Sequence, residues 1–254
     1  MSRHSIATFI LALLAAVAWL ALGGRVWAQS DRPGDTYLSI AELPDWGGLW
    51  EIMRGGFGGE QPVLTPSYAA RAAAYAADQA RGIIQDTPAA NCVPPGMPVA
   101  MWEPYPIEIL FTPGKVTIMV EAYSQWRQIF TDGRPHPADA AAAFMGHSIG
   151  RWEGDTLVVE TVNVSLDTPL GRNYGARHSE AMRIVERFYL AGPDELEIET
   201  TIHDPEALAE PWTSTRAYAR HRDWRLTEYV CQQNNRNFTT EDGKAGINLE
   251  HEEQ

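Results

Sequence analysis

From Ile107 onward the chain repeats one pattern, short runs with a two-residue apolar period closed by tight turns. Ile107–Thr112 turns at Pro113-Gly114 into Lys115–Glu121, and Gln125–Thr131 turns at Asp132-Gly133. His147–Glu153 turns at Gly154-Asp155 into Thr156–Asn163, and Met182–Leu190 turns at Gly192-Pro193-Asp194 into Glu195–His203. Trp212–Arg220 then turns at Arg222-Asp223 into a last run, Trp224–Gln232. Glu195, Glu197 and Glu199 alternate with Leu196, Ile198 and Thr200, so successive side chains face water and core in turn. With no helical pattern between these runs, βαβ units are excluded. The expected fold is mainly β, an antiparallel calycin- or lipocalin-like barrel of about eight to ten strands, a size whose interior can hold one small ligand.

Before the strands, Asp45–Glu51 places tryptophans beside glycines and is expected to open the barrel. One helix is marked by Thr65 as cap, Pro66 at the first helical position and an alanine-rich run to Arg81, and is expected to act as a lid or plug. A proline-rich connection, Pro88–Pro106, carries Cys92, Trp102 and Tyr105.

The first residues follow an export pattern: Arg3 and His4, an apolar run Ile6–Leu22, then small residues in Val26-Trp27-Ala28. Residues 1–28 are therefore expected to be a signal peptide, 29–44 a linker, 45–240 one barrel domain and 241–254 an acidic flexible tail. Cleavage removes Arg3 and Arg25 and takes the formal charge from −13 to −15. So acidic a chain repels phosphate backbones and anionic membrane surfaces, which makes a small molecule the expected partner and excludes nucleic acid and, after cleavage, membrane. The two cysteines, Cys92 and Cys231, suit one disulfide in a periplasmic or secreted protein, the alternative being two unrelated buried thiols.

Chemistry-bearing side chains crowd between Thr131 and Glu160. Gly146-His147-Ser148-Ile149-Gly150 matches the serine-hydrolase elbow, with Asp204 and His221 downstream in triad order. That motif needs a strained strand-to-helix turn, whereas here a strand follows. The favoured reading is an acid–base pocket at the mouth of the barrel, with His147 and His136 as proton carriers and Asp132 orienting one of them. Arg127 or Arg134 would hold an anionic or carbonyl group, and Tyr105, His178 and Glu180 would complete the substrate side. His136, His147, His178 and Glu180 could also converge on a metal, but no ligand spacing supports it and no metal or other cofactor is expected. The face Trp212, Ser214, Arg216, Tyr218, Arg220 either lines a pocket or covers an outer sheet surface.

Thr131-Asp-Gly-Arg-Pro-His-Pro137, the run Met145–Thr161, His178-Ser-Glu180 and Glu228-Tyr-Val-Cys231 together resemble a widespread family of exported bacterial proteins, over about Asn91 to Asn235. The resemblance implies export and a shared site region and assigns no residue a role. Asn163–Tyr174 is the stretch least similar to that family, which would place pocket specificity there. The expected activity is cofactor-independent acid–base chemistry of the lyase, hydratase or isomerase kind on a largely apolar small molecule. The alternatives are a non-catalytic carrier or sensor, and a hydrolase using Ser148.

Overall fold

The computed structural model describes residues 32–53, 61–82, 92–171 and 175–231, and the backbone of 237–239 and 245–247. The expected signal peptide lies outside the described residues. Nine strands form a closed barrel in chain order: β1 (Leu49–Ile52), β2 (Ile107–Thr112), β3 (Lys115–Val120), β4 (Gln125–Phe130), β5 (His147–Glu153), β6 (Thr156–Val162), β7 (Arg183–Gly192), β8 (Glu195–His203) and β9 (Trp212–His221). The turns at Pro113-Gly114, Gly154-Asp155 and Pro193-Asp194 make hairpins where the sequence pattern put them. β1 closes the barrel against β9, with Leu49 opposite His221 and Ile52 opposite Tyr218.

Two features depart from a simple meander. β4 and β5 pair in parallel, Ile129 opposite Ser148 and Phe130 opposite Ile149, because residues 131–146 cross over instead of turning back. The run Trp224–Gln232 forms no strand over its described residues, since β1 and β9 already satisfy each other and leave no edge to extend. Trp224 instead stacks on His221, centroids 3.6 Å apart, and the Thr227 amide donates to the Glu121 carboxylate at 2.8 Å. Beyond it, β10 (Asn237–Thr239) and β11 (Ala245–Ile247) pair as a separate ribbon, so part of the expected tail is a strand.

Aromatic side chains contribute much of the buried core. Trp46, Trp50 and Phe188 are buried there, joined by a 3-10 helical turn, Val99–Trp102, all of whose residues are buried. Tyr218 donates its hydroxyl hydrogen to the Met101 carbonyl. The face Ser214, Arg216, Tyr218, Arg220 turns inward: the Arg216 guanidinium lies 5.0 Å over Trp102, and that of Arg220 lies 4.5 Å over Trp50.

The stretch expected as a linker is bonded to the barrel. It holds a one-turn helix α1 (Tyr37–Ile40) with a Thr36–Ser39 capping box, and the Gly34 carbonyl accepts from the Gly114 amide at 2.9 Å. The long helix α2 (Pro66–Ala80) buries Tyr75. Its Thr65 does not cap through its side chain; the hydroxyl donates to the Glu206 carbonyl at 2.8 Å.

Cys92 and Cys231 form the expected disulfide, tying the connection before the 3-10 turn to the segment after β9, 139 residues apart. Chain-entropy arguments give a loop of that length about 4 to 5 kcal/mol. The double variant Cys92→Ser/Cys231→Ser is expected to lose stability of this order in urea denaturation, with the barrel spectrum retained.

Candidate acid–base site

Gly146 sets the entry to β5. Its φ is +61°, and a Cβ there would lie 2.7 Å from the Val162 carbonyl oxygen, so glycine alone lets the chain pass. The strand then alternates: His147 points outward, and Ser148 points into the barrel, where it is 1% exposed. Pro135 and Pro137 stiffen the crossover on either side of His136. It is pinned further along, where the Asn163 side-chain amide donates to the Ala140 carbonyl at 3.2 Å and the Ala143 amide to the Asn163 carbonyl at 3.0 Å.

This brings together two of the expected proton carriers. His136 Nδ1 and His147 Nδ1 are 2.7 Å apart. Phe130 stacks on the His147 ring at 5.4 Å, and the Arg134 guanidinium lies 4.1 Å over Phe130. Asp132 holds Arg134, whose Nε donates to both carboxylate oxygens at 2.9 Å. Asp132 therefore orients the arginine; no bond joins it to either histidine.

Three further groups extend the array. Glu160 on β6 places Oε1 3.4 Å from His136 Nε2. Arg183 on β7 donates to Glu160 Oε2 at 2.8 Å, and His203 on β8 stands opposite Arg183 in the sheet register. His147, Glu160, Arg183 and His203 alternate with the buried Ser148, Thr161, Ile184 and Ile202, so they share the outward face of β5–β8. The cluster lies on the outer face at one end of the barrel, since His147 opens β5, Arg183 opens β7 and His203 ends β8.

A contact between two Nδ1 atoms at hydrogen-bond distance requires one protonated and one bare nitrogen, so the couple holds one bridging proton. His136 Nε2 is buried without a hydrogen-bond partner, 3.4 Å from Glu160 Oε1. A proton on that nitrogen would face the carboxylate, make His136 the acceptor at Nδ1 and leave His147 Nε2 bare, the nitrogen of a base. Burial, then the neighbouring His136 and Arg134, lower the His147 pKa below its ordinary 6.5. His203 is lowered by burial and by Arg183, with Glu160 opposing. Arg134 holds the Asp132 carboxyl below its usual range.

The other expected site residues lie elsewhere. Arg127 is buried in the barrel, donating to Glu186 through Nη1 at 3.1 Å and also through Nη2, to Ser148 Oγ through Nε at 3.2 Å, and to Thr161 Oγ1 at 2.7 Å. It is spent on an internal network and is not brought to the histidines. Ser148 lies in that network, inside a strand, which does not present its hydroxyl as a nucleophile. His178 is buried, with Nδ1 2.9 Å from the Ser179 carbonyl and Nε2 2.9 Å from Thr168 Oγ1. Tyr105 packs edge-on against Tyr229 at 5.5 Å, and Glu180 is exposed. Among the described residues no group of three or more His, Cys, Asp or Glu is placed to hold a metal. Sequence reasoning gave no role to Phe130, Glu160, Arg183 or His203; strand parity alone put the last three on one face.

Two measurements check these assignments. Removing one member of a buried ion pair costs about 3–5 kcal/mol, whereas removing both with apolar replacements costs far less. Arg127→Met is thus expected to be more destabilising than Arg127→Met/Glu186→Leu in chemical denaturation; the reverse order would refute the internal pairing. The histidines set a pH dependence whose sign follows from their lowered pKa values. Above the ordinary value of 6.5 their contribution to stability is complete. As pH falls below it the unfolded chain takes up protons that the native site resists, so stability is lost through the folded pKa. The thermal midpoint should drop between about pH 7 and about pH 5, and drop less in His147→Asn/His203→Asn; equal slopes would refute it.

No family model matches this chain, and no curated protein matches it.

Proposed function

We propose that the protein is an exported acid–base enzyme of the lyase, hydratase or isomerase kind, acting on a small, largely apolar molecule. The contact of 2.7 Å between His136 Nδ1 and His147 Nδ1 carries this reading. His147 Nε2 takes a proton from a carbon next to a carbonyl, or from a water that adds to a double bond. As His147 gains that proton it passes the bridging one to His136, and Glu160 stabilises the imidazolium that forms. Returning the proton to another carbon of the substrate completes an isomerisation; giving it to a β-hydroxyl, whose carbon–oxygen bond breaks so that water leaves, completes an elimination. Arg134, half-exposed on the outer side of Phe130, supplies positive charge for a developing oxyanion. The disulfide supports an oxidising compartment, hence the periplasmic or secreted location.

The test is a panel of small enones, hydroxy acids and ketones incubated with the full chain in deuterium oxide, followed by NMR for deuterium uptake or water addition. Turnover of a panel member is expected to fall by about a hundredfold or more in folded His147→Ala and His136→Gln. Unchanged turnover in both folded variants would sink the reading. Stoichiometric binding without any product would make the protein a carrier.

A further inference from the structure

Glu160 lies between two arms of the array. On β6 it stands opposite Ile149 of β5 and Val185 of β7. His147 and Arg183 each come two residues before those partners on the same outward face, so both are its diagonal neighbours. Diagonal neighbours are about 7–8 Å apart, a gap that long side chains bridge. Arg183 bridges it, donating through Nη1 to Glu160 Oε2 at 2.8 Å. The second oxygen, Oε1, then faces His136 Nε2 at 3.4 Å.

The side chains of this ion pair are part-exposed, 42% for Arg183 and 36% for Glu160. Such a pair adds at most about 1 kcal/mol to folding. Its consequence is local, because it holds in one place a long acidic side chain that otherwise samples several rotamers.

The proton bridging the histidine couple has two positions. In the first, His136 carries hydrogen on Nε2, His147 donates from Nδ1, and His147 Nε2 is bare. In the second, His136 donates from Nδ1, its Nε2 is bare, and His147 carries hydrogen on Nε2. An ionised carboxylate only accepts. With Oε1 held at His136 Nε2, the first arrangement sets a donor against an acceptor, and the second sets two lone pairs against each other.

We infer that Arg183 is a positioning residue: by holding Glu160 Oε2 it aims Oε1 at His136 and selects the tautomer in which His147 Nε2 is bare. It acts on that nitrogen through Glu160 and His136. The selection is a property of the resting protein and needs no substrate. That the bare nitrogen serves as a base rests on the acid–base reading given above.

The experiment uses the full chain, labelled with 15N and free of ligand, at about pH 8, above the ordinary histidine range. Long-range 1H–15N correlation of the imidazole rings separates protonated from bare nitrogens and so reads the tautomer directly. The signals are assigned with His136→Gln and His147→Gln. In the unmodified protein the tautomer with hydrogen on His136 Nε2 is expected to be favoured about tenfold or more, as a charge-assisted hydrogen bond gives. Glu160→Gln, whose amide both donates and accepts, should bring the two tautomers within about twofold of each other. Arg183→Gln and Arg183→Met should each cut the preference about threefold or more, and Arg183→Lys should restore most of it. His203, opposite Arg183, checks the placement of the arginine. Its pKa, lowered by burial and then by Arg183, should rise in Arg183→Gln and hold in Arg183→Lys. Hydrogen on His147 Nε2 in the unmodified protein, a preference unchanged in folded Arg183→Gln and Arg183→Met, or an unresponsive His203 would overturn the inference. The two readings fail separately. If the tautomer depends on Arg183 but turnover is equal in His147→Ala, the acid–base reading falls and the positioning role stands. If turnover depends on His147 but the tautomer ignores Arg183, the positioning role falls alone.

Discussion

Closure of the barrel through the β1–β9 pairing decides which side of every strand meets the core, and the placement of each polar group follows from that. With the ring closed, one phase of each strand is sealed off from water and the other is not. Ser148 and His147 are neighbours in sequence, yet one joins a dry network of Arg127, Glu186 and Thr161 while the other stands on the wall. A one-residue slip in β5 would exchange them, burying an imidazole and exposing the ion pair's hydroxyl partner. The Arg127–Glu186 pair resists that slip. Its geometry is satisfied only in one register, and a lone buried charge is costly.

The buried core of the barrel is built in large part from aromatic side chains and a short 3-10 turn. Trp46, Trp50 and the 3-10 turn are all buried in it. On the outside, the loop 131–146 is pinned to Asn163 at the end of β6, and the loop 204–211 is pinned to Ser179 and to Val63 and Thr65. A site on strands with short loop anchors is held more tightly than one on free loops.

The strands of the hairpins were legible because local alternation and turn chemistry agree, as in Glu195–His203 and its partner. The failure at Trp224–Gln232 has a non-local cause: a sequence does not announce that the sheet is already closed. Arg127 was misplaced for a related reason. Its own face of β4 carries Ile129, but the opposite face carries Trp126 and Phe130, so hydrophobic phase alone does not say which is core. The histidine couple was partly legible, since prolines and glycines mark His136 and His147 as positioned groups. Glu160 and Arg183 were not, because their contact joins adjacent strands far apart in sequence, and His203 lies further still along the same row.

The parallel pairing of β4 with β5 is the irregularity on which the site depends. A tight turn after Phe130 would have made β5 an antiparallel partner and left no chain on the outer wall at this point. The crossover instead carries residues 131–146 back along the barrel, and the Ala140 and Ala143 contacts to Asn163 draw it against β6. His136 is thus held over the strand that bears Glu160 and beside the residue that opens β5. A hairpin barrel supplies stability without such a feature. The cost of a less regular ladder at β4–β5, where only two residue pairs are matched, is offset by the disulfide and the dense core elsewhere.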